Sequence, residues 1–264
     1  MMTNVVLMAM LMLSLFMNEA QAQSFSKILA QARGGNAKAM VMAGNAYLYG
    51  DGVAKDPAKA FYWYEKGAAK GLDGAQYSLG NLYYDGVGVK QDYAKAFDYY
   101  SRAAAQGLPE AINNVGMCYL TGNGTTQDFD KAFACFKTAT QKGNLDAKFN
   151  LAECYYLGRG TAANITLAVE MFKELSSNGV ARAQYDLAVC YQNGSGVEQN
   201  LGEAVGWYTS AYDFGIPQAG YNLAIIYLNG YENGSYAQEG TKILNDLAKA
   251  GYTPAVELLK QLGQ

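Results

Sequence analysis

A glycine recurs every 36 residues, at Gly35, Gly71, Gly107, Gly143, Gly179, Gly215 and Gly251, and no insertion or deletion breaks the phase. Inside the blocks so defined, the fifth position is always Ala: Ala39, Ala75, Ala111, Ala147, Ala183, Ala219 and Ala255. The thirteenth is Tyr in all six full blocks: Tyr47, Tyr83, Tyr119, Tyr155, Tyr191 and Tyr227. The sixteenth is Gly, from Gly50 to Gly230. A chain with this regularity is not built around one central core. Each block is a small unit whose apolar face is covered by the next block, which is the logic of a solenoid.

Each block carries two apolar stripes of helical period. In the second block, Ala75, Leu79, Leu82 and Tyr83 fall at i, i+4, i+7 and i+8, and Tyr93, Ala96, Phe97, Tyr100 and Ala104 repeat that spacing. Asp92 stands where a carboxylate accepts the orphan amides of a helix N-terminus, as do Asp56, Asp128, Asn164 and Asn200. The sixth block has Tyr236 there instead. Glycine pairs such as Gly86 and Gly88 lie between the stripes, where a reversal needs positive φ. Each block therefore reads as an antiparallel helix pair, and the fold class as all-α, an α/α superhelical solenoid of about six helix-pair repeats with capping helices at its ends.

The run Ala75-Gln76-Tyr77-Ser78-Leu79-Gly80-Asn81-Leu82-Tyr83, then Gly86-Val87-Gly88-Val89, Asp92, Ala96, Tyr99-Tyr100 and Ala103-Ala104, resembles a Sel1-like repeat. The same pattern returns with Trp63-Tyr64 and Trp207-Tyr208, and the resemblance covers Gly35 to Gly251. The fourth and sixth blocks depart most, with Met171 and Ile243 before Phe172 and Leu244 and with Glu232 in place of a loop glycine. The resemblance implies a right-handed superhelix related to tetratricopeptide repeats, and a role as a scaffold or adaptor for other proteins.

The ends read differently. Residues 1–22 have the form of a secretory signal: an apolar run from Val5 to Met17, then Ala20-Gln21-Ala22 as a small-x-small cleavage site, with the mature chain starting at Gln23. The run lacks a basic residue before it and is too short to span a bilayer, so membrane insertion after cleavage is not expected. Secretion or residence in a periplasm follows. Residues 23–34, with Phe25, Ile28 and Leu29, form an N-terminal capping helix; six repeats occupy 35–250; and 251–264, with Ala255, Leu259 and Leu262, form a C-terminal capping helix.

Composition removes whole classes of chemistry. The chain has no histidine, so a Ser-His-Asp or Cys-His nucleophile and a His-ligated zinc are excluded. A net charge of -3 gives no basic footprint for nucleic acid. No cofactor or metal is expected, since the four cysteines lack short paired spacing. Three of them, Cys118, Cys154 and Cys190, fill position twelve, a buried apolar slot, where cysteine acts as a small hydrophobe. In an oxidising compartment Cys118 and Cys135 could bridge the two helices of the third block; free buried thiols are the alternative, and the one favoured. Ser24-Phe25-Ser26-Lys27 matches Ser-x-x-Lys, but no accompanying β-lactamase element follows, and the match reads as chance. Sequons at Asn123, Asn164, Asn193 and Asn233 read first as turn residues.

What remains is surface. With positions 5, 9, 12 and 16 buried, positions 4, 7, 11 and 15 line the concave groove. Tyr77, Asn81, Asn113, Phe149, Glu153, Tyr185 and Tyr221 are the candidate partner-binding residues, in which amides bond a peptide backbone and rings cover its side chains. Packing between repeats is the competing use of the rings. The expectation is a non-enzymatic module that binds a protein or peptide along the groove. Its rival is a cell-wall or β-lactam binder or hydrolase using acids such as Asp85 and Glu153.

Overall fold

The computed structural model describes residues 20–263, so the proposed signal segment, apart from its last three residues, lies outside the described residues. Every regular element among the described residues is helical. Helix α1 runs over 20–33. Six pairs follow: α2 (Ala37–Tyr49) with α3 (Pro57–Ala69), α4 (Asp73–Asp85) with α5 (Tyr93–Ala105), α6 (Pro109–Thr121) with α7 (Phe129–Gln141), α8 (Leu145–Leu157) with α9 (Ile165–Ser177), α10 (Ala181–Asn193) with α11 (Leu201–Asp213), and α12 (Pro217–Leu228) with α13 (Ala237–Lys249). Helix α14 (Thr253–Gln261) closes the series. Two compact units divide at Asn144 and Leu145. The first holds α1 and three pairs; the second holds three pairs and α14.

The caps stand where the sequence puts them. Asp56, Asp92 and Asp128 each accept a hydrogen bond of 3.0 Å from the backbone N–H three residues on, and Asn164 and Asn200 do so at 3.1 Å. Tyr236 makes no such bond. Gly122 (φ 79) and Gly124 (φ 77) turn the chain between α6 and α7, and a Cβ on Gly124 would lie 2.0 Å from the carbonyl oxygen of Tyr93. The second loop glycine is thus needed for contact with the preceding pair as well as for its φ. In the sixth pair Glu232 (φ 47) and Asn233 (φ 60) occupy the left-handed region inside a short 3-10 turn, Tyr231–Gly234.

In the first unit the invariant tyrosine ties each pair to the helix before it. Tyr83 meets Phe61 edge-on at 5.5 Å and Tyr119 meets Phe97 at 5.4 Å. Tyr47 meets Phe25 of α1 in the same geometry at 5.2 Å. Phe25, Phe61 and Phe97 are 36 residues apart, so α1 caps the first unit as the second helix of a half-repeat. At the other end, Ala255 and Leu259 are buried in the cluster containing Leu244 and Leu247. Leu262, expected on that buried face, is exposed beyond the end of α14. The sixteenth position also departs from expectation: it is the left-handed C-cap of the first helix and not part of its buried stripe.

Candidate functional site

In each of the first five pairs a large ring from the second helix lies against the first helix of its own pair, and the sixth has Leu244 at that position. In the first unit Tyr64, Tyr100 and Phe136 are buried, and Gly44, Gly80 and Gly116 make room for them; a Cβ on Gly80 would lie 2.5 Å from the Tyr100 ring. A buried phenol needs an acceptor. The Tyr64 hydroxyl donates to Asn45 Oδ1 at 2.6 Å, and the Tyr100 hydroxyl to Asn81 Oδ1 at 2.8 Å. Burial accordingly pushes the Tyr64 hydroxyl up to about 12. Asn114 Nδ2 adds a longer contact to Asn81 Oδ1, at 3.5 Å. The groove asparagine is therefore tied to the fold through its oxygen, a use that sequence reading did not assign to it.

The predicted binding residues separate into lining and packed ones. In the first unit, Tyr77 and Asn81 line one cavity of about 390 Å³ with Asn45, Tyr49 and Asp85. Tyr77 also rests on Tyr100, ring centres 6.0 Å apart, so contact with the pair's own second helix is part of its role. Asn113 is buried and is no groove residue. In the second unit, Phe149, Glu153 and Tyr185 line a cavity of about 490 Å³ together with Arg182, Asp186, Ile216 and Gln218. Tyr221 packs edge-on against Tyr252 at 5.9 Å.

The second unit holds the strongest local electrostatics. Helix α8 brings Glu153, α9 brings Phe172, and α10 brings Arg182 and Asp186. Glu153 and Asp186 also line a tighter cavity of about 180 Å³ with Tyr156, Leu157, Phe172, Val189 and Cys190. Burial pushes the Asp186 carboxyl up to about 7, helped by the charge of Glu153 and opposed by Arg182. Burial raises Glu153 too, against Arg182 and Arg159. Arg182 pairs with Asp146 at 2.6 Å and lies over the Phe149 ring at 4.6 Å.

Asp186 was missed because position 8 was left out of the groove stripe. Positions 4, 8, 11 and 15 follow i, i+4, i+7 and i+11 and share one helix face. The column itself was a signal: after Met42 in the first block, Ser78, Asn114, Asn150, Asp186 and Asn222 are all polar. Asp85 and Glu153, the acids named from sequence, line different cavities.

The other candidates carry less. Cys118, Cys135, Cys154 and Cys190 are free thiols, and burial lifts Cys118, Cys154 and Cys190 to about 11. Ser24 and Lys27 stand exposed on α1. Asn164 caps α9 and Asn123 Nδ2 donates to the Tyr84 hydroxyl at 3.1 Å, whereas Asn193 and Asn233 are exposed. Among the described residues no group of three or more metal-ligating side chains converges, and no helix is long and apolar enough to cross a membrane.

Known proteins share this architecture. The chain is similar to the protein c5321, a protective antigen of uropathogenic Escherichia coli strains with an SLR fold, at 28% identity and a TM-score of 0.75, over 89% of this chain and 50% of that one. This chain thus spans half the length of that protein. A Sel1 repeat protein from Oxalobacter formigenes is 26% identical over 88% of this chain and 94% of that one, with a TM-score of 0.78. Immunity protein Pa5087 from Pseudomonas aeruginosa, 21% identical with a TM-score of 0.52 over 83% of this chain and 82% of that one, shares the fold. No curated protein matches the chain. The Sel1 repeat model matches residues 37–72, 74–108, 109–144, 145–180, 181–213 and 217–239, in phase with the six helix pairs, and the chain belongs to the Sel1 repeat family.

Proposed function

We propose that this protein is an exported, non-enzymatic adaptor that binds a protein or peptide along the first-helix faces of its repeats. Sel1 repeats are scaffolds that generally bind protein partners. The observation that carries the reading here is the cavity of about 390 Å³ lined by Tyr49, Tyr77, Asn45 and Asn81. Tyr49 is 71% exposed, a large ring on the groove face that contributes little to the core. Rings beside amides suit an extended segment, whose backbone the amides bond and whose side chains the rings cover. A chain without histidine that offers contact surfaces in place of a nucleophile supports binding over catalysis.

The test is cross-linking of the native protein followed by capture of its partner. Tyr49→Ala with Tyr77→Ala is expected to weaken capture about tenfold while helical circular dichroism stays unchanged. Equal capture by the variant would refute the groove assignment. Export is tested separately by sequencing the N-terminus of the protein from the envelope or medium. A start at Gln23 is expected, which removes the first turn of α1 and keeps Phe25, Ile28 and Leu29.

A second reading, hydrolysis of a cell-wall glycan, is favoured by the two carboxylates that share a cavity, Glu153 and Asp186. Turnover of peptidoglycan fragments that is abolished by Glu153→Gln would establish it.

A further inference from the structure

We propose that the cavity lined by Glu153 and Asp186 in the second unit receives a lysine or arginine side chain of the protein partner, an inference that rests on the adaptor reading above. The first, second and fifth pairs close the equivalent place with their own hydrogen bonds, whereas the third and fourth have phenylalanine there. Tyr100 donates to Asn81; Tyr208 donates to Gln192 Oε1 at 2.6 Å and accepts from Asn222 Nδ2 at 3.2 Å. In the fourth pair the ring is Phe172, which has no hydroxyl, and the groove positions carry Glu153 and Asp186, which when ionised only accept. Both carboxylates are half-buried, and no hydrogen bond or ion pair joins either to another described residue. Two cations act on Glu153, Arg182 and Arg159, and Arg182 is committed to Asp146 and to the face of Phe149.

Two partly desolvated acceptors without a donor are costly, and a cation with several N–H groups satisfies charge and hydrogen bonding together. The walls fit the rest of such a side chain. Leu157 and Val189 face a methylene stem, and Tyr156 and Phe172, ring centres 6.3 Å apart, offer aromatic surface near its charged end. At about 180 Å³ the cavity is well below the ~300 Å³ at which pockets for whole small molecules begin, so it suits one side chain better than a saccharide. The raised carboxyls of Asp186 and Glu153 agree, because a bound cation would relieve the burial and mutual repulsion that lift them.

The experiment titrates the full protein at pH 8 with Nα-acetyl-lysine amide, Nα-acetyl-arginine amide and Nα-acetyl-norleucine amide, following the methyl signals of Leu157 and Val189 by NMR. A basic amide is expected to shift both signals saturably and to bind about tenfold or more tighter than norleucine amide. Glu153→Gln with Asp186→Asn should abolish that preference while the remaining methyl spectrum stays native. Equal response to norleucine amide, or an unchanged preference in the double variant, overturns the proposal. So does saturable turnover of peptidoglycan fragments at these residues. Partner capture separates the two readings: if the double variant keeps its partner and the Tyr49, Tyr77 variant loses it, the cavity assignment fails and the adaptor reading stands. If neither variant loses the partner, the adaptor reading fails too.

Discussion

Asp186 differs from its equivalents in the other blocks by keeping a carboxyl where they have Met, Ser or Asn, and its cost can be measured. Burial and Glu153 hold its carboxyl near 7, above the ordinary 3.8, with Arg182 opposing. Between those values the folded chain binds more protons than the unfolded one, so stability falls as pH rises. Thermal melts of wild type should therefore show a loss between pH 4 and pH 7, beyond that of Asp186→Asn. We expect the Asn variant to be more stable at pH 8 by about 1–3 kcal/mol and nearly equal to wild type at pH 4 and below. A parallel pH dependence in both proteins would show that Asp186 carries no such burden. A residue held at a cost to the fold is where function is sought first.

At the scale of the element, the two glycine positions of a repeat do different work although their φ values are alike. Gly71 (φ 84) has nothing near its missing Cβ, whereas Gly124 (φ 77) has the Tyr93 carbonyl oxygen 2.0 Å away. Gly71→Ala should cost only the left-handed backbone strain, about 1–2 kcal/mol. Gly124→Ala adds a clash between backbones of successive pairs, and about 3 kcal/mol or more is expected. Urea denaturation of the two variants checks the order; equal losses would mean that the loop moves freely from the pair before it. Periodicity made the reversal at both glycines legible. It did not show the close approach at Gly124, because that depends on an atom 31 residues earlier in the chain.

At the scale of the whole molecule, the helices of each compact unit pack on their neighbours in sequence, so the stability of each unit is a sum of local interfaces. Removing 251–264 uncovers Leu244 and Leu247, which Ala255 and Leu259 help to bury. Amide exchange is expected to rise about tenfold or more in α12 and α13 and to stay unchanged in α2 to α5, because an interface loss of ~1.4 kcal/mol is tenfold in opening and does not reach beyond the neighbouring pairs. Uniform loss of protection would instead indicate one cooperative block.

The 36-residue phase by itself determined the helix pairs, their caps and their reversals, since these depend on residues a few positions apart. It also placed Tyr77 with Asn81, and Phe149 with Glu153 and Tyr185, on faces that line cavities. It did not show that Asn113 is buried or that the half-buried Tyr221 packs on Tyr252, because such contacts cannot be read from one helix's period. Tertiary structure decided that Asn81 spends its oxygen on Tyr100, that α1 repeats the geometry of α3 and α5, and that Asp186 joins Glu153 around Phe172. Those facts rest on contacts between helices, whose partners lie 14 or more residues apart in the chain and meet only when the helices pack.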